Sequence, residues 1–321
     1  MKSNFKPILL LVLIAMVLPE LLTGSSPISK FLDPLHLIIL FFGYSLPVLL
    51  VREIAVRSHL SFSGIFILGL SGGIFSEGFL AKTLIRASEL PISQYNDYGF
   101  FLGVSFPFTV VISFWHALAS VLVPILLVYW LYPENSKRPW FNKKLTVVLT
   151  IILLALGSAA LLGELVIKGT PLQLAVLLGL IVISFLTAKR FTQTAVANET
   201  LTNMTLKPVL LGMSLFFTYF LLLMFIAGRK LSLILFFATF IFIIWLYYKI
   251  LKRNGWLTQK NLILFGIGNY LQNNILATLL AFTIPATLIE KVVTGIVAII
   301  LLTWLARKIK KSDVPMASIA K

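Results

Sequence analysis

Cysteine is absent from all 321 residues, which excludes disulfides, thiolate metal sites and a cysteine nucleophile. Charge is scarce too. Asp, Glu, Lys and Arg make up 12% of the chain, with 11 acids against 27 bases, and there are three histidines. No residue pattern for a cofactor or a metal is present, so neither is expected. What the chain has instead is apolar: 59% of it is hydrophobic and its mean hydropathy is +1.00. That is more apolar surface than a soluble core can bury, and it reads as a polytopic membrane protein.

A bilayer-crossing helix needs roughly 17 to 25 apolar residues, and such stretches recur with only short polar gaps between them. The pattern predicts ten spans at residues 7–23, 35–51, 62–85, 103–131, 145–167, 171–188, 208–226, 231–249, 261–282 and 290–306. The fold class is therefore all-α, a transmembrane helix bundle forming a single integral membrane domain over 1–321. The polar segment 189–207 is the one place where six spans divide from four. The first apolar run, 8–22, resembles a signal-peptide core but lacks a small-x-small cleavage site and carries Pro19-Glu20 there, so it is expected to remain as a helix. Phe100 to Pro107 reads as an interfacial segment ended by the proline. Asn198-Glu199-Thr200 and Asn203-Met204-Thr205 match the glycosylation pattern, but the expected topology places them inside the cell.

Lys and Arg accumulate on cytoplasmic loops, and here twenty of the 27 fall on alternate segments starting with the N-terminal one. That split supports ten spans with both termini cytoplasmic, in the cell membrane. It also turns the net charge of +16 into a matter of topology, with no nucleic-acid partner implied. The expected partners are the bilayer itself and anionic lipid head groups at the basic loops, with about 1 kcal/mol for each Lys or Arg near the surface. Trp130, Trp140, Trp245, Trp256 and Trp304 lie near the same ends, whereas Trp115 lies mid-span beside His116.

The few polar groups carried into the spans bound the chemistry. Glu77 sits within the third apolar stretch, where a charge costs at least ~2.5 kcal/mol. At ~1.5 Å rise per residue it lies about 12 Å from the outer end of its span, and His116 on the returning helix comes to a similar depth. The ninth span adds Asn269, Gln272, Asn273 and Asn274, of which Asn269 and Asn273 share a face at i, i+4. Glu77, Lys82, His116, Asn269 and Asn273 are the candidate site residues. Each also has a plainer reading: Glu77 paired with Lys82 or protonated, His116 a satisfied bundle histidine, and the amides an interhelical bridge. Gly69, Gly72, Gly73 and Gly78 permit close backbone approach beside Glu77, or a local break there. Glu53 and Arg57 have the spacing of a helical ion pair, and the polar segment Arg86 to Gly99 has the make-up of a lid.

The run Arg52-Glu53-Ile54-Ala55-Val56-Arg57, together with Ser76-Glu77-Gly78-Phe79-Leu80-Ala81-Lys82, Phe114-Trp115-His116-Ala117, Leu131-Tyr132-Pro133 and Arg138-Pro139-Trp140, resembles a family of uncharacterised prokaryotic multi-pass membrane proteins. Members carry Glu-Glu-Gly where this chain has Ser76-Glu77-Gly78. The resemblance implies no activity, but it puts Glu77, Lys82 and His116 into one pattern. A looser similarity is to glutamate-dependent intramembrane proteases of the CAAX-processing type. There, Gly78 replaces the second Glu, Lys82 replaces an Arg, Ile112 replaces the Phe before His116, and no second histidine lies at membrane depth. Three functions stay open: handling of a small solute, ion or lipid through an internal polar cavity around Glu77 and His116; hydrolysis with Glu77 as general base; and a scaffold acting through partners.

Overall fold

The computed structural model describes residues 4–85, 98–163, 167–192, 206–281 and 288–311. Among these, ten helical rods follow one another: α1 (5–21), α2 (Pro34–Arg57), α3 (Phe62–Leu80), α4 (Phe106–Leu131), α5 (Lys143–Leu162), α6 (Pro171–Ala188), α7 (Lys207–Gly228), α8 (Leu233–Arg253), α9 (Gln259–Ala281) and α10 (Leu288–Lys311). Eight are long and apolar enough to cross a membrane; the others are the short α1 and the amide-bearing α9. Residues 86–97 of the segment proposed as a lid (Arg86 to Gly99) and 193–205 of the one proposed as a divide (189–207), with both glycosylation matches, lie outside the described residues.

Local chemistry sets where the rods start. Asp33, Ser61, Asn142, Thr170 and Ser232 each cap a helix by accepting a backbone N–H of its first turn, at 2.7 to 3.3 Å, which satisfies donors that have no intrahelical partner. Thr170 and Gln173 complete a reciprocal capping box. The boundaries differ from the sequence expectation in places. α2 runs on to Arg57, so Arg52 and Glu53 are helical. α4 starts at Phe106 behind a two-stranded turn, Phe100–Phe101 with Val104–Ser105, and Pro107 sits in its first turn, where a missing N–H costs nothing. α3 stops at Leu80, five residues early, because Lys82 takes φ +59° and leaves the helical path.

The rod ends meet in two groups. At one end of the bundle, Asn4 meets Asn135, Arg57 reaches Phe141, Ser61 meets Phe191, and Lys260 meets Lys310. At the other, Lys82 meets Gly163, Gln173 meets Gly103, and Ser29 meets Glu290. Consecutive rods thus alternate in direction. α4 is the most enclosed rod, while α5, α6, α8 and α10 turn residues such as Ile151, Ile183, Ile241 and Ile300 outward as an apolar belt, which is what a lipid-facing surface needs.

Five rods loosen from α to π geometry, at Val17–Leu21, Phe41–Ser45, Phe75–Leu80, His116–Leu122 and Phe217–Leu221. A π turn widens the backbone ladder, and prolines in or just after three of these turns remove N–H donors as well. The freed carbonyls are taken up by side chains from neighbouring rods. The Gly43 carbonyl, four residues before Pro47, accepts the Ser76 hydroxyl. The Ala119 carbonyl, five before Pro124, accepts the Tyr270 hydroxyl of α9. Tyr270 is wholly buried, so Tyr270→Phe should strand that carbonyl and cost about 1–3 kcal/mol. An earlier thermal melt of the purified protein would register it; an unchanged melt would mean that the turn is held by other contacts.

Candidate functional site

The first four of these five π turns each carry a side chain of one polar cluster: Glu20, Tyr44, Glu77 and His116. His116 Nε2 stands 2.8 Å from Glu77 Oε1, and its Nδ1 lies 3.1 Å from the Ser120 hydroxyl one turn along. Both ring nitrogens are therefore engaged. The other oxygen of Glu77 accepts the Thr83 hydroxyl. Beside them the Tyr44 ring packs on the imidazole, with centroids 5.4 Å apart. The Tyr44 hydroxyl donates to Glu20, whose second oxygen accepts Ser26. Two carboxylates, a phenol and an imidazole from four different rods thus form one contiguous unit.

Glycine makes the approach possible. A Cβ added at Gly73 would lie 2.8 Å from the Cα of Ser113 and 2.8 Å from the Cβ of His116, and one at Gly69 would lie 3.1 Å from the Cα of Ala117. Backbone atoms cannot rotate away, so Gly73→Ala should push α3 from α4. The expected cost is about 1–3 kcal/mol, together with a longer Glu77–His116 contact; an engineered Gly73→Ala that melts like the wild type would contradict this.

The expected site residues separate in space. Glu77 and His116 come together. Lys82 does not turn back to Glu77: it is buried, and its ammonium donates to the carbonyls of Gly163 (2.9 Å) and Ile167 (2.5 Å), tying α3 to the end of α5. Asn273 donates to the carbonyl (2.8 Å) and side-chain oxygen (3.3 Å) of Asn269 on its own rod, so α9 joins the cluster through Tyr270. Asn274 bridges to the carbonyl of Leu22 (3.1 Å), and the buried Gln272 amide has no hydrogen-bond partner among the described residues. Glu20 and Tyr44 are the residues that the reading by depth passed over. Glu20 was visible as an acid inside an apolar run, but it stood at the span's end, where a charge is cheap.

The space bordered by Tyr44, Pro47, Ser76, His116 and Ser120 does not admit a water molecule; His116 is fully buried, while Glu20, Tyr44 and Glu77 each keep part of their surface exposed. Carboxylate, phenol and imidazole are each groups able to carry a proton. Ser120 can donate to or accept from Nδ1, so the imidazole can gain or lose a proton without any heavy atom moving. Among the described residues, no group of three His, Cys, Asp or Glu converges as metal ligands would.

No curated protein and no solved structure matches this chain. A family model for an uncharacterised membrane protein family matches residues 9–317, nearly the whole chain, and the protein belongs to that family.

Proposed function

We propose that this protein is a ten-span unit of the cell membrane, with both termini cytoplasmic, that moves a small solute or ion in step with protons held by Glu77 and His116. The observation that carries the reading is the 2.8 Å Glu77–His116 contact set between two π turns, with Glu20 and Tyr44 alongside. Ionisable groups at membrane depth are costly and mark proton and ion paths, and π turns gather at functional positions. Because the space beside His116 and Ser120 does not admit water, passage of a solute there requires the π turns to shift, which a local change from π to α register allows. The test is proton uptake by proteoliposomes under an imposed gradient. Wild type should conduct, while Glu77→Gln and His116→Ala should fall to the level of protein-free vesicles. Equal uptake by all three would refute the reading.

One observation favours hydrolysis as a second reading: Ser120, His116 and Glu77 form a nucleophile, base and orienting carboxylate in hydrogen-bonded order. Ser120→Ala separates the two. It should abolish labelling by a serine-directed fluorophosphonate if the protein hydrolyses, and should leave proton uptake standing if it transports.

A further inference from the structure

At the end of the bundle where α2 finishes and α5 begins, an open groove of about 420 Å³ is lined by Val56, Arg57, His59, Lys137, Pro139 and Lys143. By the same measure about 10–15 Å³ suffices for one water, so the groove seats a sizeable polar group. Four of its six lining residues are basic or imidazole, and among the described residues no carboxylate lines it. Two acids lie close by in sequence: Glu53 is fully buried, its carboxylate pairing with Arg52 and standing 3.8 Å from Arg57, and Glu134 is exposed three residues before Lys137.

Two features of the groove favour an anion. The Nε–H of Arg57 is buried without an acceptor among the described residues, although Nη2 of the same guanidinium donates to the Phe141 carbonyl. Lys143 and Lys144 open helix α5, whose first turn holds no acid. The positive end of the helix dipole disfavours cations there, and an anion in front of them would offset both terms. Val56 and Pro139 add apolar walls next to Trp140 and Phe141.

We infer that this groove binds a phosphate group, with Arg57, Lys137 and Lys143 as its ligands. The carrier is either an anionic phospholipid or a soluble phosphate. The site is remote from Glu77 in sequence and partners, and it stands or falls independently of the transport reading.

The test uses the purified full-length protein in neutral detergent, its melting followed by tryptophan fluorescence while dioctanoyl phosphatidic acid, dioctanoyl phosphatidylcholine or inorganic phosphate is titrated in. Phosphatidic acid should raise the melting midpoint saturably and phosphatidylcholine should not. Inorganic phosphate matching that rise identifies a soluble ligand; phosphatidic acid alone acting identifies a lipid. Lys137→Ala/Lys143→Ala removes two exposed side chains, so its melt without ligand should be unchanged. Its half-saturation should weaken roughly thirtyfold, two lysines at about 1 kcal/mol each. Lys252→Ala/Arg253→Ala, equally basic but elsewhere, should respond like wild type. No response to either phosphate, an equal response to phosphatidylcholine, or a response retained in Lys137→Ala/Lys143→Ala would overturn the inference.

Discussion

Arg52→Ala is expected to destabilise the protein by about 3–5 kcal/mol, the usual consequence of stripping one partner from a buried ion pair. Arg52 and Glu53 are both fully buried, and they pair side by side on α2. The guanidinium lies 3.7 Å over the Trp140 ring and donates to the carbonyls of Asn135 (2.6 Å) and Arg138 (2.7 Å). Glu53 in turn accepts the backbone N–H groups of Trp140 (2.8 Å) and Phe141 (3.2 Å). The pair therefore holds the segment from Pro133 to Phe141 against the end of α2. Alanine removes the stacked plane, two charge-assisted hydrogen bonds and the countercharge of a carboxylate that cannot reach water. Arg52→Lys keeps the charge but loses the planar fork and the stacking, so it should fall between the two. Melting of the three proteins in detergent checks the ranking; an Arg52→Ala protein as stable as wild type would mean that the segment is anchored elsewhere.

The second large effect concerns function. On the proposed reading, Glu77→Gln should abolish proton-coupled flux, because the amide keeps the shape of the carboxyl but cannot take up a proton. Glu20→Gln is the finer instrument. Its amide oxygen can still accept Tyr44 or Ser26, so stability should change by only about 1 kcal/mol, while flux should fall if Glu20 belongs to the proton path. Full flux in Glu20→Gln would confine the path to Glu77 and His116. Glu77 and His116 should also be energetically coupled: the stability losses of Glu77→Gln and His116→Ala should fail to add in the double variant, by about 0.5–3 kcal/mol.

The all-helical, membrane-type fold was legible because apolar run length is dictated by the bilayer, and the alternation of rods was legible in the basic residues. Depth was legible too, since helix rise is fixed, and it brought Glu77 and His116 to one level. Depth alone does not set azimuth: Asn273 shares that level yet turns to Asn269 on its own rod. Helix continuity was the other false assumption. Lys82 was placed five residues beyond Glu77 on one helix, but the helix ends between them, at the π turn, and its ammonium goes to carbonyls of the α5 end. The π turns were partly announced by Pro19, Pro47 and Pro124 inside apolar runs. Which carbonyls they free, and that Ser76 and Tyr270 from other rods take them up, depends on tertiary contacts that no local pattern contains. Glu53 and Arg57 were matched by spacing, yet at 3.8 Å their contact is secondary to the Arg52 pair.

The central claim, that Glu77, His116, Tyr44 and Glu20 act as one proton-exchanging unit, is most directly tested by infrared difference spectra of the reconstituted protein between about pH 5 and 8, the range in which imidazoles titrate. The account predicts a change in the protonated-carboxyl C=O stretch that moves in D2O, and that is lost or altered in Glu77→Gln and perturbed in Tyr44→Phe. A spectrum that does not respond to pH in this band, or that responds identically in wild type and Glu77→Gln, would contradict it.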